Sequence, residues 1–221
     1  MPKLLKMGPF IQKKPKVKCL LGIETSGDLC SVALSKNSSV LSHQSIHMPY
    51  GQAGHLMGLI QQVMAESEAR WDQLEGVVVN RGPGSFTGLR VGLATAQGIG
   101  LAGEIPVFGL TGFQLYRALK KDTENLLVLI DTRREDCFAA FFEQHSISPL
   151  FSKVMSYEEV DAFLESRPGA ETIGNFSFNK MTPYLLEAKD FFRAFWFYQN
   201  ENGSSFSSDP YYLREPEVHG K

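Results

Sequence analysis

Cysteine is scarce here: three residues, Cys19, Cys30 and Cys137, in a chain of 221. They are scattered and odd in number, so neither a disulfide framework nor a zinc-site spacing can be built from them. A reducing, cytoplasmic location is the simplest context. An excess of one charge is also missing, because 22 Lys and Arg stand against 24 Asp and Glu for a net charge of −2. That balance argues against a strong electrostatic grip on nucleic acid by this chain alone. No apolar run approaches the ~20 residues of a membrane span, so no membrane partner is expected. Catalytic constellations are absent as well. Ser85 stands at a sharp strand-to-helix turn without the G-x-S-x-G spacing of a nucleophile elbow. His43, His47, His55, His145 and His219 offer it no obvious base.

Residues 1–16 are basic, contain Pro2, Pro9 and Pro15, and lack an apolar stretch long enough for a signal peptide. They are expected to form a disordered, dispensable tail. From Val17 onward the chain is patterned. Val17–Glu24, Leu29–Ser35 and Val40–Ile46 read as strands, and Gln52–Glu68 as a helix with Leu56, Leu59, Ile60 and Val63 along one face. Met57 and Met64 extend that apolar stripe to a second face. Gly76–Asn80 reads as a buried strand and Pro106–Gly109 as a short one.

Between them lies the most informative stretch, Arg81-Gly82-Pro83-Gly84-Ser85-Phe86-Thr87-Gly88-Leu89-Arg90. Gly82, Pro83 and Gly84 make a tight turn, and Ser85 caps a helix running to Gly103. The free N–H groups of such a helix start can receive a phosphate or a carboxylate. A weak nucleotide or phosphate loop therefore falls on Gly82, Gly84 and Ser85, with Thr25 and Ser26 from the first turn. Within the helix, Gly88, Gly92, Ala96 and Gly100 recur every four residues. Each interior glycine costs a helix roughly 1 kcal/mol against alanine, and the return is close backbone approach, either to a sheet or to a partner helix.

The second half repeats the theme. A helix over Thr111–Lys120 is followed by strands at Leu126–Asp131, Cys137–Glu143 and Pro149–Met155. Ser156 and Glu159 form a capping box for a helix to Ser166, Glu171–Gly174 is a short strand, and Lys189–Gln199 is an aromatic-rich helix. The aromatic residues Phe191, Phe192, Phe195, Trp196, Phe197 and Tyr198 read as core or domain contact rather than a base-stacking surface. The shared order of strands and helices describes a duplicated α/β unit, residues 17–109 and 110–221, with a cleft between the copies.

Four motifs in order carry a family resemblance: Gly22-Ile23-Glu24-Thr25-Ser26 with Cys30-Ser31-Val32-Ala33-Leu34, the stretch from Arg81 to Arg90, Ile130-Asp131-Thr132-Arg133-Arg134, and Pro210-Tyr211-Tyr212-Leu213-Arg214. They resemble the I-D-T-S…S-V-A-L, R-G-P-G-S-F-T-G-[LV]-R, I-D-A-R and P-x-Y-L-R motifs of the TsaB (YeaZ) family. The resemblance implies an actin-like and sugar-kinase-like α/β fold of two RNase-H-like subdomains. It also implies a non-catalytic subunit in the synthesis of N6-threonylcarbamoyladenosine at position 37 of tRNA. The implied partners are TsaD, the transferase, and TsaE, an ATPase, with tRNA engaged indirectly and a homodimer forming without TsaD. The docking face expected from it lies on the two long helices, at Leu56, Leu59, Ile60, Val63, Gly88, Gly92, Ala96 and Gly100.

TsaD-like enzymes hold a metal with an H-x-x-x-H pair, whereas here Gly51 stands where the first His belongs and His55 remains alone. His47 lies beyond Pro49 and does not complete the pair. Enzymes of the wider class end the first strand on Asp, and here Glu24 takes that place. Asp131 is followed by Arg133 and Arg134 rather than by a glycine-rich turn, which reads as a charge pair in a degenerate cleft. No metal, no cofactor and no catalytic residue are therefore expected. The rival reading is a free-standing ATP-dependent enzyme of the sugar-kinase-like class.

Overall fold

The computed structural model describes residues 17–200 and 206–214, so the basic tail expected at 1–16 lies outside the described residues. The first sheet comprises β1 (Cys19–Glu24), β2 (Leu29–Lys36), β3 (Ser39–His47), β4 (Gly76–Asn80) and β5 (Val107–Leu110), in the order β3-β2-β1-β4-β5. β1 pairs antiparallel with β2 and parallel with β4. The second sheet comprises β6 (Leu126–Asp131), β7 (Asp136–Phe142), β8 (Phe151–Ser156) and β9 (Glu171–Gly174), in the order β8-β7-β6-β9. β6 likewise pairs antiparallel with β7 and parallel with β9. The duplication read from the sequence is thus present, and the second sheet lacks the counterpart of β5.

Five layers result, because both sheets are covered on both faces. β1 is buried along its whole length, as a strand must be when helices cover both sides of a sheet. Its side chains alternate between two cores. Leu21 and Ile23 meet α1 (Gln52–Glu66) and α2 (Phe86–Gly103), whereas Leu20 enters the core between the sheets. That middle core holds α3 (Gly112–Leu119) and α5 (Asp190–Asn200), with Phe113, Tyr116, Phe191, Phe192, Phe195 and Tyr198 all buried. Phe191, Phe192, Phe195 and Tyr198 of α5 are therefore interior, each contributing about 1.5–3 kcal/mol by burial, whereas Trp196 and Phe197 are half-buried against that core. α4 (Tyr157–Ser166) covers the far face of the second sheet around Val160.

The middle core is continuous across the 109/110 boundary, and α5 packs on β1, β4 and β5 of the first sheet. Local signals are realised: Ser85 caps α2, accepting from the Gly88 N–H at 3.3 Å, and Ser156 and Glu159 form the capping box of α4. A 3-10 turn at Trp71–Gln73 was not expected. Among the described residues no helix is long and apolar enough to cross a membrane.

Candidate functional site

The corner between β4 and α2 is built on Asn80. Its Nδ2 donates to Glu24 Oε2 at 2.8 Å and to Ser26 Oγ at 2.7 Å, while its Oδ1 accepts from the Gly82 N–H at 2.9 Å. Gly82 takes φ 112°, and a Cβ there would lie 2.5 Å from the Tyr211 carbonyl oxygen, so the position admits only glycine. The Gly82-Pro83 peptide is cis. Glu24 is 2 % exposed, and burial pushes its carboxyl above the ordinary value despite hydrogen bonds from Ser26 and Asn80. It is consumed inside the corner.

The five loop residues anticipated from the sequence do meet here, mostly bonded to one another. Ser85 N–H donates to the Ser26 carbonyl at 2.8 Å and the Thr25 hydroxyl to the Gly88 carbonyl at 2.7 Å. Ser26, Gly84 and Ser85 line an interlobe cleft of about 380 Å3, whereas Thr25 and Gly82 are buried behind it. Facing them across the cleft are Asp131, Thr132, Arg133 and Arg134. Asp131 Oδ1 accepts the Arg133 backbone N–H at 2.7 Å. The Arg133 guanidinium instead reaches the opposite lobe, where Nη2 lies 2.5 Å from Asp28 Oδ1. The turns after β1 and after β6 are thus joined by one of the chain's own side chains.

A C-terminal strap, residues 206–214, crosses between the lobes. Phe206 O accepts from Gly109 N on β5 at 3.3 Å, and Tyr211 N–H donates to Arg81 O at 2.7 Å. On the other lobe, Tyr211 Oη and Ser152 Oγ are 2.7 Å apart, and Arg214 pairs with Asp136. Tyr211 also lies beneath the Arg81 guanidinium, 5.4 Å from ring to Cζ. The P-x-Y-L-R motif had flagged this segment as family pattern; its role as an interlobe strut, like that of Asn80, carried no separate signal in the sequence.

The helix pair requires a correction. Leu56, Leu59, Ile60 and Val63 are buried against the first sheet, with Leu59 the most exposed of them at 6 %. Gly88, Gly92, Ala96 and Gly100 are buried on the same inner side of α2. A Cβ on Gly88 would lie 2.0 Å from the Thr25 carbonyl oxygen, on Gly92 2.3 Å from Thr25 Oγ1, and on Gly100 2.6 Å from Val107 Cγ2. These eight residues pack inside the chain and cannot present a docking face; the apolar stripe of α1 and the small stripe of α2 are what lets both helices lie on β1, β2 and β4.

The outer side differs. Exposed residues there include Ala53, Gly54, Met57 and Gly58 on α1 and Ala94, Gly98, Leu101 and Ala102 on α2. Gly54, Gly58 and Gly98 have nothing within 4 Å of a would-be Cβ. Met57 is 47 % and Leu101 84 % exposed. The charged residues exposed on these helices are Glu66, which accepts from Ser42 and Gln44 of β3, and Arg90, stacked on Phe86 at 3.8 Å. The other exposed residues of the two helices are alanines, glycines, Met57, Leu101 and the polar His55, Gln61, Gln62, Thr87 and Gln97.

The metal ligands of TsaD-like enzymes have no equivalent arrangement. Gly51 is the N-cap of α1 at φ 89°, His55 is exposed on the helix, and among the described residues no three His, Cys, Asp or Glu side chains cluster around a common point. The residues present do not fit that metal.

Residues 43–163, more than half of the chain, match the family described as TsaD, tRNA N6-adenosine threonylcarbamoyltransferase. The tRNA threonylcarbamoyladenosine biosynthesis protein TsaB of Escherichia coli is 28 % identical over 128 residues, covering 57 % of this chain and 55 % of the relative. Its Haemophilus influenzae counterpart is 27 % identical over 149 residues, covering 64 % and 61 %. The chain thus spans little more than half the length of these relatives. Among solved structures, YeaZ from Pseudomonas aeruginosa superposes with a TM-score of 0.71 at 20 % identity, over 89 % of this chain and all of that one, which shows the shared fold. The chain belongs to the TsaB/YeaZ family, with a domain of the TsaD type.

Proposed function

We propose that this chain is a non-catalytic subunit in tRNA threonylcarbamoyladenosine synthesis, and that it docks on a TsaD-type transferase through the outer sides of α1 and α2. The observation that carries the reading is that outer side: few charges, many small residues, and Met57 and Leu101 exposed. Exposed apolar surface on a helix pair marks a protein contact, and interior glycines facing open space let another backbone approach closely. Docking would stabilise one conformation of the transferase, which is activation by differential binding. TsaE and tRNA then join through the transferase, and without TsaD the same side pairs two copies of this chain. The test is co-purification with the transferase of the same organism, followed by a tRNA modification assay with and without this chain. Modification at full rate without it would contradict the proposal.

A second reading is favoured by the cleft, where Ser26, Gly84 and Ser85 line one wall and the start of α2 faces the space. It makes the chain a free-standing ATP-dependent enzyme of the sugar-kinase-like class. Against it stand Glu24, held inside the corner by Asn80, and Arg133, which spans the two turns a nucleotide's phosphates would need to enter. ATP hydrolysis by the isolated chain, unchanged on adding the transferase, would decide for this second reading.

A further inference from the structure

Arg133 belongs to the second lobe, yet its guanidinium reaches Asp28, Pro49 and Tyr50 of the first. Besides Asp28, both terminal nitrogens face the Pro49 carbonyl oxygen at 3.4 Å, and the guanidinium lies over the Tyr50 ring, 5.2 Å from its centroid. Tyr50 is 77 % exposed. The backbone of Arg133 is held at φ 59°, unusual for a side-chain-bearing residue, with its N–H on Asp131 Oδ1. Such a conformation persists where surrounding contacts impose it.

The residues it grasps lead directly to the docking helices. Pro49 and Tyr50 precede Gly51, the N-cap of α1. Met48 N–H donates to the Asp28 carbonyl at 2.7 Å, and the first residue of α1, Gln52, sends its Nε2 to Met48 O at 3.1 Å and Gly27 O at 3.4 Å. On the other side of the same turn, Thr25 and Ser26 hold the start of α2 through Gly88 and Ser85. The β1–β2 turn therefore anchors the N-terminal ends of both helices, and Arg133 is a side chain of the second lobe that holds that turn.

We infer that Arg133 is a positioning residue that couples the orientation of the second lobe to the docking side of α1 and α2. This inference rests on the proposed docking of a TsaD-type transferase. When the cleft widens, Arg133 leaves Asp28, Pro49 and Tyr50, and the entry to α1 loses its support from across the cleft. The continuous middle core and the strap through Tyr211 and Arg214 still join the lobes, so losing Arg133 loosens their angle without releasing them.

The test compares Arg133→Ala, Asp28→Ala, the double alanine variant and the exchanged pair Arg133→Asp with Asp28→Arg, all in the full chain. Affinity for the transferase is measured by calorimetry. Interlobe distance is measured between spin labels at Glu104→Cys and Glu165→Cys, both exposed positions; the native cysteines are all buried. Each single alanine variant is expected to broaden the distance distribution and weaken docking about three- to fivefold, the scale of an exposed ion pair. The double variant should be no worse than either single one, and the exchanged pair should recover at least part of the loss. Unchanged docking in Arg133→Ala, or additive losses with no recovery on exchange, would overturn the coupling. Gly58→Arg on the outer side serves as the control for docking itself. If that variant also binds normally, the docking proposal fails, and an unchanged distance distribution in Arg133→Ala would then overturn the interlobe role of Arg133 by itself.

Discussion

Gly92 and Gly98 lie in the same helix, six residues apart, and face different surroundings. A methyl group on Gly92 would collide with the Thr25 hydroxyl, whereas one on Gly98 would meet open space. The same division runs through α1, where Leu56 and Ile60 are interior and Gly54, Met57 and Gly58 face outward. The inner side needs small residues so that α2 can lie against β1 and its turn. The outer side has no such need within the chain, yet it keeps glycines that weaken the helix. That difference moves the docking proposal from the inner stripe to the outer one.

The largest effect should come from breaking the inner side. Gly88→Val places a β-branched side chain where even a Cβ lies 2.0 Å from a backbone oxygen, and the chain should lose about 3 kcal/mol or more, or fail to fold. Gly92→Leu should behave likewise. Urea unfolding of the purified variants checks this, and native-like stability in both would show that the inner packing is misassigned. Next in size is the outer side: Gly58→Arg and Gly98→Arg should each abolish transferase binding while melting within a few degrees of the wild type.

A smaller effect sharpens the outer side further. Gly98→Ala should stabilise the isolated chain by up to about 1 kcal/mol, since the added methyl meets nothing and the helix gains propensity. A destabilised variant would mean that the outer side is already packed in the free chain. The smallest effect concerns the corner beneath the inner side. The Glu24 carboxyl is raised above its ordinary value of 4.5 by burial, so above that pH the unfolded chain loses this proton before the folded one does. Stability should therefore fall as pH rises from there through the folded value of Glu24. In Glu24→Gln that part of the slope should disappear, as melting temperatures across the pH range would show.

How far the sequence could be read follows the same inner and outer division. The strand Gly76–Asn80, the Ser85 cap, the Ser156–Glu159 box and the repeated sheet order were legible because each depends on residues within a few positions of one another. The contact of α2 is not legible in the same way, because four-residue spacing places Gly88, Gly92, Ala96 and Gly100 on one stripe without saying what lies opposite. A signal was present: Leu89 and Leu93 flank that stripe and are themselves buried, which points it inward. Thr25, Ser26, Gly84 and Ser85 meet in the corner, but their mutual hydrogen bonds depend on Asn80 and Glu24, 56 positions apart. The Arg133–Asp28 bridge spans 105 positions, and nothing local marks it beyond two arginines where a glycine-rich turn would stand.

The most direct test of the account is transferase binding by Gly58→Arg and Gly98→Arg, each shown to be folded by its thermal transition. The account predicts folded chains that neither co-purify with the TsaD-type transferase nor support tRNA modification. Folded variants that bind it with wild-type affinity would contradict the outer docking side.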